Sequence, residues 1–467
     1  MKVLFTHSYF LRFDQKQFKQ RKPYPPLATI QAASYLRENG CTVELFDTNF
    51  AHKANEIKPF LDHHPDVLVI YDDGFNYLTK MCLTNMREAA FEMIKLAKSK
   101  GIKTFVSSSD STDHFEEYLA NGAEAVILGE ADQTLLELIQ KEKQLNTVAG
   151  IAFVENGVVK QNAKRPILTD LSSLPLPAWD LINIEPYQEA WSIHGYFSIN
   201  IATTRGCPFK CNWCAKPIYG NRYNSRSPEH VVEEIKLIKS HFEFDHIWFC
   251  DDIFGLKPKW VQEFNQVLKN ENTSISYKIQ SRADLLVTDD TVKNLAESGC
   301  EEVWIGAESG SQKILDAMDK GTTIEEIKES TVAMKKHGIK PCFFLQFGYL
   351  DESWEDIQAT INMLKELMPF DIGVSVSYPL PGTSFYERVK SELDQKANWT
   401  DSDELLLMYK GTYSASFYKK LHRFVHKQFR GKQAALQLKK GKFSVLIRWI
   451  YFKVTCQLFY FQLLRLK

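Results

Sequence analysis

The sequence predicts an α/β protein in three parts: a doubly wound, Rossmann-like parallel sheet, a partial (β/α)6 barrel, and a helical C-terminal tail. Three observations carry this. Short apolar runs alternate with helix-like stretches from residue 3 to residue 128, the pattern of βαβ units around a parallel sheet. A second alternating series opens near Phe197 and holds six strand-like runs in about 180 residues, short of the eight of a complete barrel. The last stretch is basic and rich in aliphatic and aromatic residues.

The elements follow in order. Val3-Leu4-Phe5 reads as the first strand and 29–39 as a helix ended by Gly40. Strands are expected at 42–46 and 66–71, a helix at 86–99 closed by Gly101, and strands at 103–106 and 125–128. Ligands of such sheets bind beyond the C-terminal strand ends. In 148–161, Asn156-Gly157 stands between two apolar runs, a hairpin signal. The stretch 166–186 is rich in Pro and Leu without a period and reads as a linker. Barrel strands are expected at 199–203, 246–250, 274–279, 302–305, 341–347 and 371–376, with helices such as 228–240 and 351–367 between them. The expected divisions are 1–145, 146–192 for hairpin and linker, 193–418 for the barrel and 419–467 for the tail.

The formal net charge is −1, but its distribution is uneven. From Lys410 onward there are fourteen Lys and Arg and no Asp or Glu, leaving 43 basic and 58 acidic residues before it. A basic tail on an acidic body suits an anionic surface. Residues 443–464 hold sixteen apolar residues of twenty-two, interrupted by Arg448 and Lys453. The longest uncharged stretch, 454–464, is eleven residues, whereas a spanning helix needs about twenty apolar ones. An interfacial helix fits better; a helix packed on the barrel is the alternative. The nine cysteines are odd in number and only three cluster, unlike a secreted disulfide framework. The N-terminal apolar run is too short for a signal peptide. The expected setting is reducing and cytoplasmic, with the tail resting on the inner membrane face.

The cluster reads Thr203-Thr204-Arg205-Gly206-Cys207-Pro208-Phe209-Lys210-Cys211-Asn212-Trp213-Cys214, straight after the first expected barrel strand. Three thiolates on one loop can ligate three irons of a cubane and leave the fourth iron open. Structural zinc is the competing reading, but it wants four closely spaced ligands, and no fourth Cys or His stands at such spacing.

This segment resembles the signature of the radical S-adenosylmethionine (SAM) superfamily, Cys-x3-Cys-x-aromatic-Cys, with Trp213 as the aromatic. The resemblance implies a [4Fe–4S] cluster on Cys207, Cys211 and Cys214. It also implies that the open iron chelates SAM and that reductive cleavage gives methionine and a 5′-deoxyadenosyl radical. It extends to the expected strand ends: Asp251 and Asp252, where the family binds the SAM amino group; Arg282, suited to the SAM carboxylate; and Gly306, Glu308 and Ser309, where it contacts the ribose or methionine. Each also has a structural use. An aspartate caps the next helix, Arg282 can pair with Asp284 or Glu308, and the glycines serve tight turns.

The leading α/β part resembles the cobalamin-binding radical SAM class through 24–27, 33–40, 43–47 and 129–132. Residues 219–220, 226–229, 378–383 and 399–403 resemble the branch containing anaerobic magnesium-protoporphyrin monomethyl ester cyclase and hopanoid- or phosphonate-type enzymes. The likeness covers roughly 1–430. It implies a cobalamin-binding type of first domain, with the cofactor near Asp72, Gly74, Ser107 and Ser109. The usual Asp-x-His-x-x-Gly ligand motif is missing, since Asp62-His63-His64-Pro65-Asp66-Val67 ends in Val and precedes a strand. Members of the class often bind cobalamin without a lower His; His114 is the one histidine near the expected site.

The implied reaction takes hydrogen from an unactivated carbon, followed by methyl transfer from methylcobalamin or by ring formation or oxygen insertion. The implied partners are a small-molecule or lipid substrate and a reductant such as flavodoxin or ferredoxin. Nucleic acid is not expected. No catalytic residue beyond the cofactor-holding ones is assigned. Two rivals remain open. A methylthiotransferase acting on transfer RNA would carry three further cysteines in the first domain, which has only Cys41 and Cys82. A non-catalytic iron–sulfur protein would have no use for polar residues at three successive strand ends.

Overall fold

Residues 1–161 form one seven-stranded sheet. The computed structural model describes residues 1–81, 83–141, 144–214, 219–393 and 398–467. Strands β1 (Lys2–Thr6), β2 (Thr42–Phe46), β3 (Val67–Tyr71), β4 (Lys103–Ser107) and β5 (Ala125–Ile127) pair in parallel in the order β2-β1-β3-β4-β5. The sequence of β3, VLVIY, is buried throughout, as a strand covered on both faces requires. Alternate residues feed two cores. Val3, Phe5 and Val69 pack with helix Leu27–Glu38, while Leu4, Leu68 and Ile70 pack with helix Thr84–Ser99.

Asn156 and Gly157 both take positive φ, +53° and +76°, the geometry of a two-residue hairpin turn. The resulting strands, β6 (Ile151–Glu155) and β7 (Val158–Gln161), extend the first sheet, because β6 pairs antiparallel with β5. The division expected at residue 145 therefore falls inside this sheet. β5, three residues long and otherwise an open edge, recruits the hairpin.

The second sheet is wholly parallel. β8 (Ser198–Ile201) is followed by a two-residue ribbon of β9 (Thr204–Arg205) and β10 (Asn224–Ser225). The remaining strands are β11 (His246–Phe249), β12 (Tyr277–Ser281), β13 (Cys300–Glu308), β14 (Lys340–Phe347) and β15 (Asp371–Val376). Their spatial order is sequential, β8-β11-β12-β13-β14-β15, which is the expected half-barrel. β12 begins three residues later than expected, because its register is set by its neighbours: Tyr277 pairs with Ile247 and Cys300. Reciprocal caps start two of the intervening helices, Thr323 with Glu326 and Ser353 with Asp356.

The tail is a hairpin of two helices. Ala415–Lys439 lies along β15 and helix Trp354–Leu367, held by Arg430 on Asp371 at 2.6 Å. Leu446–Leu464 folds back over it as the outermost layer. Among the described residues, no helix is long and apolar enough to cross a membrane.

Candidate active site

The loop after β8 is fixed at three points. Gly206 turns the chain at φ +87°, and a Cβ there would lie 2.1 Å from the Arg222 carbonyl oxygen. Asn212 bolts the middle. Its backbone N–H donates to Met318 O, its Nδ2 donates to Ala317 O and to Asp319, and Tyr349 Oη donates to its Oδ1 at 2.7 Å. Arg282 covers the far side, its guanidinium carbon 3.7 Å from the centre of the Phe209 ring and its Nη1 3.9 Å from Cys211 Sγ.

The arrangement brings three partly buried cysteines, Cys207, Cys211 and Cys214, onto one braced loop. Burial, reinforced by Asp252 and the neighbouring thiols, pushes Cys214 up to about 12, while Lys320 pulls it down. Burial also raises Cys207, and Arg282 opposes it. Loading a metal displaces these protons, and the two cations offset the negative charge that thiolates bring. Among the described residues, no group of three or more His, Cys, Asp or Glu is placed to hold a single metal ion. A cubane asks for something different, one thiolate for each of three irons. The donor set, three soft thiols beside two buried cations, fits a cluster.

The strand ends fill unequally. Asp251, fully buried, accepts from the N–H groups of Thr203 and Thr204 at 2.7 and 2.9 Å and from the Thr203 hydroxyl. Burial pushes its carboxyl up to about 6, against these donors. It thus holds the start of the cysteine loop. Asp252 pairs with Lys80 from the first sheet's side. The burial of Lys80 is outweighed by Asp252 and Cys214, so its ammonium sits above the usual range. Arg282 is also engaged within the chain, donating to Asp284 at 2.9 Å, to Thr322 at 2.9 Å and to Gly321 O at 3.2 Å.

At the end of β13 the register slips between Gly306 and Glu308, and Glu308 takes a left-handed φ of +53°. Its carboxylate accepts from Lys320 Nζ at 2.9 Å, both side chains being under a tenth exposed. A Cβ on Gly306 would fall 2.4 Å from Glu308 Oε1 and 2.5 Å from Lys320 Nζ, so glycine makes room for the pair. Ser309 is turned inward onto Thr360 and the Ser311 N–H. Trp213 lies beside Lys320, 5.9 Å from ring centre to Nζ, and its Nε1 is buried with no hydrogen-bond partner among the described residues. A buried donor left open costs about 1–3 kcal/mol, so an acceptor is called for at this point.

In the first sheet, Asp72 is taken by Ser8, whose N–H and Oγ both donate to it at 2.7 Å. The Asp73 carboxylate accepts from the N–H groups of Leu27, Ala28 and Phe75. Ser107 is buried at the end of β4, Ser108 caps a short helix, and Ser109 is its first, partly exposed residue. Gly74 is buried between β3 and Phe75. His114 stands beside Asp110 and Glu117, and burial lowers its pKa.

Three residues escaped sequence reasoning. Lys320 and Lys80 are lone lysines without local pattern. Arg205 was visible inside the motif but had no assigned partner. It donates to Glu130 and Asp132 at 2.6 Å each and stacks 4.9 Å over Tyr219, tying the cysteine loop to the first sheet.

Gly206 gives the first test. Gly206→Ala should lose most of its iron while staying folded by circular dichroism. The left-handed backbone alone costs an L-residue about 1–2 kcal/mol, and the obstructing atom is backbone. Wild-type iron content would show that the loop tolerates the shift.

Residues 201–364 match the sequence model of the Radical SAM superfamily. With its half-barrel and three-thiol loop, the chain carries a radical SAM domain, which marks it as an enzyme and implies a [4Fe–4S] cluster and SAM. It is similar to an uncharacterized methyltransferase of Pyrococcus horikoshii, at 28% identity over 80% of this chain and 81% of that protein. It is likewise similar to the anaerobic magnesium-protoporphyrin IX monomethyl ester cyclase of Rubrivivax gelatinosus, at 23% identity over 84% of this chain and 71% of that one. The fold is shared with OxsB, a cobalamin-dependent SAM radical enzyme solved with aqua-cobalamin and SAM bound. There the TM-score is 0.75 at 18% identity, covering 98% of this chain and 72% of that chain.

Proposed function

We propose that this enzyme uses cobalamin together with the cluster and SAM to methylate or oxidatively modify an unactivated carbon of a small-molecule or lipid substrate. The observation that carries it is the three-thiol loop braced by buried cations at the C-terminal end of a half-barrel, beside a parallel α/β sheet. Fold likeness to a cobalamin-dependent enzyme and similarity to a methyltransferase and a cyclase support the choice of reaction class.

In this reading Cys207, Cys211 and Cys214 hold the cluster. When bound, the reduced cluster and SAM supply a one-electron cleavage that yields a carbon-centred oxidant, and cobalamin supplies a methyl carrier. The rest falls to the chain. Arg282, locked by Asp284 and Thr322, keeps Phe209 and Cys211 in place. Lys320 places a buried positive charge beside Cys214, and Glu308 holds that lysine. The Trp213 Nε1, without a hydrogen-bond partner among the described residues, offers a hydrogen bond to a bound polar group. Asp251 acts on SAM only through the loop it fastens. Asp72 is already committed to Ser8, so the corrin would be met by the small residues Gly74, Ser107 and Ser109. A cytoplasmic setting and a reductant of the flavodoxin or ferredoxin type complete the proposal.

The test is anaerobic incubation of reconstituted protein with SAM and dithionite, with and without hydroxocobalamin. The expected result is 5′-deoxyadenosine in the complete mixture and a cobalamin spectrum that stays with the protein through gel filtration. No deoxyadenosine from cluster-loaded protein overturns the chemistry; deoxyadenosine without retained cobalamin removes the cobalamin step alone.

A further inference from the structure

The outer tail helix has two apolar faces, and only one is used. Trp449, Phe452, Cys456, Phe459 and Leu463 are partly or fully buried, the spacing of a face laid on the helix beneath it. On the opposite side Ile447, Ile450, Val454, Leu458 and Phe461 recur at intervals of three and four and are 83%, 48%, 52%, 57% and 62% exposed. Phe443, in the turn before the helix, is 75% exposed. The stripe runs almost the length of Leu446–Leu464, far more than the scattered single apolar residues of an ordinary surface.

What surrounds the stripe selects its partner. At 100° per residue, Arg448 and Lys453 flank it one on each side, with Lys442 before it and Arg465 at its end; all four are exposed. From Leu405 to the last residue there is no acidic side chain. Tyr451 and Phe461 lie on the exposed side, with Lys427 Nζ 4.2 Å from the Tyr451 ring. An apolar strip bordered by cations and aromatic rings, on a helix too short in apolar length to span, matches a bilayer surface: acyl chains for the strip, anionic headgroups for its borders.

We infer that the outer face of Leu446–Leu464 docks this protein flat on an anionic membrane. The inference is independent of the reaction proposed above. The inner helix, anchored to β15 through Arg430 and Asp371, would fix the barrel's orientation on the bilayer.

The experiment is flotation of the full-length protein with vesicles of phosphatidylcholine alone or with one third phosphatidylglycerol, at low and high salt, alongside light scattering without lipid. Wild type should float with the anionic vesicles, less at high salt and little with neutral ones. Ile450→Asp/Leu458→Asp, altering exposed positions only, should keep its circular dichroism and iron content and lose roughly tenfold or more in vesicle partitioning. Arg448→Gln/Lys453→Gln should bind less and lose part of the salt dependence. Absence of wild-type flotation, or equal flotation of the double aspartate variant, overturns the inference. A lipid-independent dimer broken by the same variant, without flotation, would assign the stripe to a second copy of the chain and likewise overturn it.

Discussion

Replacing Cys207, Cys211 and Cys214 together with alanine removes all bound iron and sulfide from anaerobically reconstituted protein, and Cys250→Ala leaves them at the wild-type level. The contrast comes from placement. The three loop cysteines share one segment with Arg282 and Lys320 close by. Cys250 is a buried thiol at the end of β11 that donates to the Ile201 carbonyl at 3.3 Å. It belongs to the hydrophobic core, and burial, reinforced by Asp73 and Asp251, holds its pKa far above the thiol range, which suits a packed hydrophobe. The measurements are iron and sulfide per chain and the visible absorption spectrum, with circular dichroism to check the fold. Near-normal iron in the triple variant would sink the assignment, and loss of iron in Cys250→Ala would show that packing under β11 matters as much as the thiols.

The second large effect is expected at Arg205. Its guanidinium, 5% exposed, is shared between Glu130 and Asp132, themselves 8% and 1% exposed. Arg205→Met leaves two carboxylates close together out of water. Breaking a buried pair from one side costs about 3–5 kcal/mol, enough to lower the thermal midpoint by several degrees or more. The loss should fall on both the stability of the first sheet and iron loading, because Arg205 stands two residues before Cys207. Arg205→Met combined with Glu130→Gln and Asp132→Asn should recover much of the midpoint, since the unpaired charges are gone. A single variant as stable as wild type would mean that water reaches the carboxylates and screens them. Thermal melts, with iron content measured in parallel, decide.

Much of this was open to a reader of the sequence, and the reasons differ by element. VLVIY is apolar on both faces, so β3 announces a buried parallel strand by itself. Asn156-Gly157 needs no partner to specify its turn. The cysteine spacing lies within one loop and carries its chemistry in eight residues. The readings that shifted depend on tertiary choices. An aspartate at a strand end can look into a cleft or back at its own sheet. Asp251 looks back, because the N–H groups of Thr203 and Thr204 need an acceptor where β8 leaves the sheet. For Arg282 the neighbouring Asp284 is legible as a partner in the sequence, whereas Thr322, forty residues on, is not. Glu308 and Lys320 are twelve residues apart in unrelated local contexts, and only the turn around Gly306 brings them together. The hairpin's place depends on the bare edge of β5, which no local pattern reveals.

The ion pairs that join the two sheets have a consequence for traffic. Arg205 with Glu130 and Asp132, and Lys80 with Asp252, each join a residue of the first sheet's part of the chain to one of the second's. Parting the sheets there would strip partners from buried charges and drag on the loop itself. The seam is therefore a weld, not a hinge. Molecules that come and go during turnover are expected to use a route that leaves these pairs shut.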